Sequence, residues 1–175
     1  MLSEVIRKYG GEETTAAYFK KYILNPLEMS RSRGDYIWND DKDGNTNDFY
    51  HNATVFMGSG GLKSTVNDMT KYICMYMNMG TSLNGNSIIS PEFVNEMTTK
   101  RITTSSGRLF YGYGLNVTAD GLPRKWHSGG STGITAYMAW SYIKGIGIIV
   151  LCNTNISPEK ISHEIGTQTL LNYCR

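Results

Sequence analysis

The chain has 175 residues, 40% of them hydrophobic and 19 of them glycine, enough for one core and little more. Its formal net charge is +2, and the basic residues are scattered (Lys20-Lys21, Arg31, Arg33, Lys100-Arg101), so no electrostatic case exists for a nucleic-acid partner. No apolar run reaches the length of a membrane span, no signal peptide is recognisable, and Cys74, Cys152 and Cys174 show no CxxC spacing, which argues against a disulfide framework, a metal or a cofactor.

Leu2, Val5 and Ile6 repeat at helical spacing until Gly10-Gly11, a helix stop. A helix that opens at residue 1 with no cap suggests a chain that starts within an element. A second helix is expected over about 14–24, with Ala16, Phe19, Ile23 and Leu27 on one face, closed by Asn25-Pro26 because proline disfavours helix in the residue before it. Residues 30–59 lose periodicity. Asn39 to Asp48 sets oxygen-bearing side chains at alternate positions with Gly44 sixth, as in part of a calcium loop, but Tyr50 holds the closing position where glutamate is needed. The segment is read as a solvated turn without metal.

Thr65-x-x-Asp68 is a capping box, followed by a core stripe of Met69, Tyr72, Ile73, Tyr76 and Met77 and a stop at Gly80. Ser90-Pro91 opens a short helix expected to turn Phe93, Val94 and Met97 inward. From Tyr111 the period becomes two. Tyr111 to Val117, a turn at Ala119-Asp120-Gly121, and Arg124 to His127 open an antiparallel meander of three strands; Ile134 to Ser141 and Ile146 to Cys152 follow. Ile148-Ile149-Val150-Leu151 does not alternate, which predicts cover on both faces, and Cys74 and Cys152 sit in apolar runs as small buried hydrophobes. Ser157-Pro158-Glu159 caps a last helix with Ile161, Ile165 and Leu170 or Leu171 directed at the sheet. The fold class is α+β, mainly helical over 1–105 and strands plus a covering helix over 106–175.

Lys125-Trp126-His127-Ser128-Gly129-Gly130-Ser131-Thr132-Gly133 carries the chemistry. A polar group ahead of bare backbone N–H donors suits a carbonyl or an oxyanion; the alternative is a glycine-rich turn beside a histidine.

Several stretches, in this order, resemble the serine β-lactamase and penicillin-binding-protein superfamily, nearest its class C-like branch of esterases and peptidases. Ile23-Leu24-Asn25-Pro26-Leu27-Glu28-Met29 is similar to I-x-x-P-L-G-M, with Glu28 where glycine is usual. Gly60-Gly61-Leu62-x-Ser64-Thr65-x-x-Asp68, Tyr111-Gly112-Tyr113-Gly114 and Val150-Leu151-Cys152-Asn153 resemble three further motifs. His127-Ser128-Gly129-Gly130-x-x-Gly133 resembles H-x-G-G-x-x-G, in which histidine replaces the lysine of K-T-G. The resemblance implies that His127 lies beside the substrate or leaving group and that Ser128 adds a hydroxyl. It also implies that Gly129 keeps the strand edge bare and that the Gly130 N–H is one of two oxyanion-hole donors.

The family's S-x-x-K and Y-x-N motifs are expected upstream of residue 1. Ser157-x-x-Lys160, Tyr76-x-Asn78 and Tyr50-x-Asn52 match as patterns but fall at a helix cap, on a buried helix face and in the irregular loop. The chain alone is therefore expected to be inactive, as the C-terminal portion of a serine hydrolase acting on a small molecule or peptide. The alternative is a non-catalytic binding or assembly module. An apolar strand such as Ile146 to Cys152, left with an open edge, predicts a homodimer or strand exchange.

Overall fold

The computed structural model describes residues 2–34, 58–104, 109–118, 123–131, 133–153 and 158–173, with the side chains at 131 and 158–163 excepted. The Asx-rich segment at 39–48, the Tyr50/Asn52 pair, the turn at 119–121, the Ser157 cap and Cys174 lie outside the described residues, as do the side chains of Lys160 and Ile161. The chain divides into two compact units, residues 1–68 and 69–175.

In the first unit, α1 (Leu2–Tyr9) ends where the Gly10 N–H reaches the Ile6 carbonyl at 2.7 Å. A Cβ on Gly10 would stand 2.7 Å from the Tyr18 ring, so only glycine lets the next helix come this close. That helix, α2 (Thr15–Phe19), is capped by Thr14 Oγ1, which accepts from the Ala17 N–H at 3.0 Å. The predicted helix does extend to Leu24, but Lys20–Leu24 is wound as a π-helix, with the Asn25 N–H donating to Lys20 O at 2.9 Å. Pro26 has no N–H to continue an α-helical ladder, and the wider turn comes just before it. The chain then reverses at Glu28, whose φ is 55°. The Met29 N–H reaches back to Leu24 O at 2.8 Å, and Leu24, Leu27 and Met29 are buried.

Asp68 does more than the capping box foresees. Thr65 Oγ1 accepts from the Asp68 N–H at 3.3 Å, as predicted. The buried Asp68 carboxylate also accepts from the Arg31 N–H at 2.9 Å and from Ser32 Oγ at 2.8 Å. Arg33 and Lys63 exchange both backbone hydrogen bonds beside it, at 2.9 and 3.0 Å.

In the second unit, the helix opened by that box, α3 (Val66–Met77), supplies Ile73, Met75 and Tyr76 to the core, and Gly80 follows at φ 94°. In α4 (Pro91–Thr98), Ser90 Oγ accepts from the Phe93 N–H at 3.4 Å. The inward placement expected of Phe93 is wrong. Val94 is fully buried with Thr98 one turn on, whereas Phe93 lies off that line and is 63% exposed.

Among the described residues the sheet has six strands, not three: β1 (Ile102–Thr103), β2 (Leu109–Tyr111), β3 (Asn116–Thr118), β4 (Arg124–Ser131), β5 (Ile134–Ser141) and β6 (Ile146–Cys152), each antiparallel to the next. Tyr111 to Val117 alternates like one strand, but Gly114 has φ 75° and the Gly112 N–H bonds to Leu115 O at 2.8 Å. The chain turns back there and makes two strands from one run. β1, two residues long, is too short to show any period.

The last helix, α5 (Pro158–Tyr173), lies against β5 and β6, with Leu170 buried between Tyr137 and Ala139 and flanked by Trp126, Ile148, Val150 and Leu171. Gly166 permits this, because a Cβ there would stand 2.2 Å from Tyr137 Cδ1. On the opposite face Trp140 stacks on Tyr76, centroids 5.0 Å apart, and Tyr142 Oη donates to Tyr76 O at 2.9 Å. Among the described residues β6 is an outer strand, and the cover expected for Ile148 to Leu151 is incomplete: Ile148, Ile149 and Val150 are half-buried and Leu151 is 40% exposed. Ile165 is likewise half exposed at 50%, and Cys74 and Cys152 are half-buried free thiols. Among the described residues, no helix is long and apolar enough to cross a membrane, and no three His, Cys, Asp or Glu side chains gather as metal ligands.

Candidate active site

β4 runs through Gly129 and Gly130 as strand, so the glycines are not a turn. It pairs with β5 along its whole length, from Lys125 opposite Trp140 to Ser131 opposite Ile134, and Gly133 at φ 79° closes the two-residue connection. Its ladder to β3 is shorter and ends with Trp126 opposite Asn116. Beside Gly129 and Gly130, both exposed, no strand among the described residues lies on that edge.

The pleat sorts the site residues by face. Trp126, Ser128 and Gly130 stand opposite Ala139, Tyr137 and Thr135, on the side that α5 covers. Lys125, His127 and Gly129 stand opposite Trp140, Met138 and Ala136, on the side of Tyr76. His127 and Ser128 therefore project to opposite faces of one strand. A Cβ on Gly129 would meet nothing within 4 Å, so internal packing does not require glycine there.

His127 is half-buried, and its Nε2 lies 3.3 Å from the hydroxyl of Tyr111, with the rings 6.3 Å apart and inclined at 62°. Tyr111 ends β2, and the turn after it is tied to the C-terminus of α4. The Tyr113 N–H donates to Met97 O at 3.1 Å, and a Cβ on Gly112 would stand 2.3 Å from that same oxygen. Lys125 Nζ donates to Thr98 O at 2.8 Å, and Arg101 Nη2 to Glu96 O at 3.3 Å. The carbonyls that a helix leaves without partners at its end thus anchor both the turn carrying Tyr111 and the strand carrying His127. Burial, and then the charge of Lys100, holds the Lys125 ammonium below the ordinary lysine range. The outer part of this wall is cationic and aromatic, with Lys100 Nζ 4.8 Å above the Phe110 ring and Arg101 Cζ 4.1 Å above Tyr113.

Tyr76 and Asn78 do not converge. Tyr76 is 2% exposed, its hydroxyl lies 3.2 Å from that of Tyr72, and burial pushes its phenol up, while Asn78 is exposed. Nothing in the sequence marks Tyr111 as a partner of His127. The 16 residues between them are bridged by the β2–β3–β4 meander, and no local pattern marks that pairing.

This wall offers an extended backbone edge, an imidazole held by a phenol and a positive rim, which suits hydrogen bonding to an acceptor-rich ligand. Among curated proteins none matches the chain. Solved structures do match, among them two penicillin-binding proteins. The octameric penicillin-binding protein homologue from Pyrococcus abyssi aligns with a TM-score of 0.75 and 28% identity over 97% of this chain and 40% of its own. The penicillin-binding protein from Bacillus halodurans aligns with a TM-score of 0.70 and 17% identity over 96% of this chain and 52% of its own, a likeness of fold alone. The chain thus spans 40% and 52% of the lengths of these two proteins. The family model described as beta-lactamase matches residues 1–167, and the chain belongs to the beta-lactamase family.

Proposed function

We propose that Trp126 to Ser131 forms one wall of the acyl-transfer site of a class C-like, penicillin-recognising serine hydrolase. In this reading His127 contacts the substrate or its leaving group, and the bare edge at Gly129 receives an extended substrate. The Gly130 N–H is one oxyanion donor and Ser128 supports the strand. Nucleophile and base come from S-x-x-K and Y-x-N segments outside these 175 residues, so the chain alone is inactive. Gly129 carries the proposal. It sits within a regular strand, with open space where its Cβ would be, and glycine weakens a strand unless something must lie close to it. The octameric homologue also favours self-association, with the outer strand β6 as the contact.

A fluorescent penicillin tests the site. It should not label the 175-residue chain, and should label it once combined with a segment carrying S-x-x-K and Y-x-N. Gly129→Ala should slow labelling of the combined protein about 10²-fold, as expected for a displaced substrate, without loss of thermal stability. Labelling of the isolated chain at any serine overturns the reading. A combined protein that folds and is never labelled points instead to a non-catalytic module.

A further inference from the structure

We propose that Tyr111 is the positioning residue of this wall, and that it fixes the tautomer of His127, placing the proton of the neutral ring on Nδ1. The role assigned to that proton rests on the hydrolase reading above; the hydrogen bond does not.

The two rings are partners with few alternatives. Tyr111 Oη lies 3.3 Å from His127 Nε2, and among the described residues neither that hydroxyl nor His127 Nδ1 has another hydrogen-bond partner. The direction of the bond follows from acidity. A phenol, with a reference pKa of about 10, is a far better acid than a neutral imidazole N–H, and an imidazole nitrogen, whose conjugate acid has a reference pKa of about 6.5, is a far better base than a phenol oxygen. The Tyr111 O–H therefore donates and Nε2 accepts, which leaves the proton of the neutral ring on Nδ1. The hydroxyl is held in place from the main chain: the Arg101 N–H donates to Tyr111 O at 3.2 Å, and Gly112 and Tyr113 are anchored on Met97 O.

The consequence concerns ligand class. A lysine at this position acts as a point charge, whereas the neutral His127 ring held by Tyr111 presents one directed N–H donor. The group recognised beside it is accordingly a hydrogen-bond acceptor such as a carbonyl or carboxylate oxygen. At the rim Arg101 is already paired with the Glu96 carboxylate at 3.6 Å, so the positive charge available to an anion there comes from Lys100.

Nitrogen-15 spectra of the histidine-labelled 175-residue chain, taken above the titration range of imidazole, test this without substrate or nucleophile. The chain has three histidines, and His127→Gln assigns the relevant signals by their loss. In the unmodified chain the Nδ1–H form of His127 should predominate, although a free histidine side chain prefers Nε2–H. Tyr111→Phe, which keeps the ring, should move the tautomer ratio about fivefold toward Nε2–H, the size expected for one neutral hydrogen bond. Circular dichroism checks that the variant is folded; if it is not, the spectrum of the unmodified chain decides. Predominance of Nε2–H in the unmodified chain, or an unchanged ratio in a folded Tyr111→Phe chain, overturns the proposal. A merely structural Tyr111 would leave the ratio in place. If the tautomer is as stated while the combined protein is never labelled by penicillin, the hydrolase reading fails and the positioning role stands.

Discussion

Glu28 occupies a conformation that suits glycine, and at this position glycine should be more stable than alanine. Its φ is 55°, and the surrounding bonds hold it there: the Glu28 N–H donates to Asn25 O at 2.9 Å and the Met29 N–H to Leu24 O at 2.8 Å. A left-handed conformation costs a residue with a Cβ about 1–2 kcal/mol. Glycine removes that cost but loses about 0.5–1 kcal/mol through the greater freedom of the unfolded chain. Glu28 is exposed, so the contacts its carboxylate makes contribute at most about 1 kcal/mol. Alanine supplies the reference, because it gives up the same contacts and keeps the Cβ. Glu28→Gly should therefore exceed Glu28→Ala in stability by about 1 kcal/mol, or roughly 2–4 °C in melting temperature for a chain of this size. Urea unfolding followed by far-ultraviolet circular dichroism measures both variants. An alanine variant as stable as the glycine variant would refute the reasoning, since the backbone would then not be strained.

Two further outcomes are expected. Lys125 is held below the ordinary lysine range by burial, so on raising the pH the folded chain releases this proton before the unfolded chain does. The unfolded state then binds more protons, and stability rises between the folded value and the usual one of about 10.4. Relative to Lys125→Met, which cannot titrate, the unmodified chain should gain in urea midpoint from about pH 7 to pH 10; a pH-independent difference refutes the assignment. Light scattering should find the chain associated, with β6 as the contact, and mutation of the exposed Leu151 to lysine should shift it toward monomer. A monodisperse unmodified monomer would count against association.

The parts of the fold visible in the sequence are those set by local chemistry. The stops at Gly10 and Gly80 and the Ser90-Pro91 start follow from residues that sit next to the features they cause. What stayed hidden depends on approach between distant backbones. Gly112 alternates with Tyr111 and Tyr113 as in a strand, and only its proximity to Met97 O shows why the chain bends there. Phe93 is as apolar as Val94, yet only one line of α4 faces the core. The site was legible to the same extent. His127 and the glycines stood out, but Tyr111 becomes its partner only once the meander folds β2 back near β4, and the opposite faces of His127 and Ser128 follow from a strand that continues where a turn is one of two alternatives.

Every strand of the sheet pairs with its immediate neighbour in sequence. Contact order in this region is correspondingly low, and the loop-closure entropy of each added strand is small. The hairpin of β4 and β5 can therefore nucleate early, with His127 already in register opposite Met138, before any long-range partner is in place. The kinetic expectation is of a wall that folds as a template onto which more distant segments dock, and docking rather than sheet formation would then set the rate at which a complete site appears.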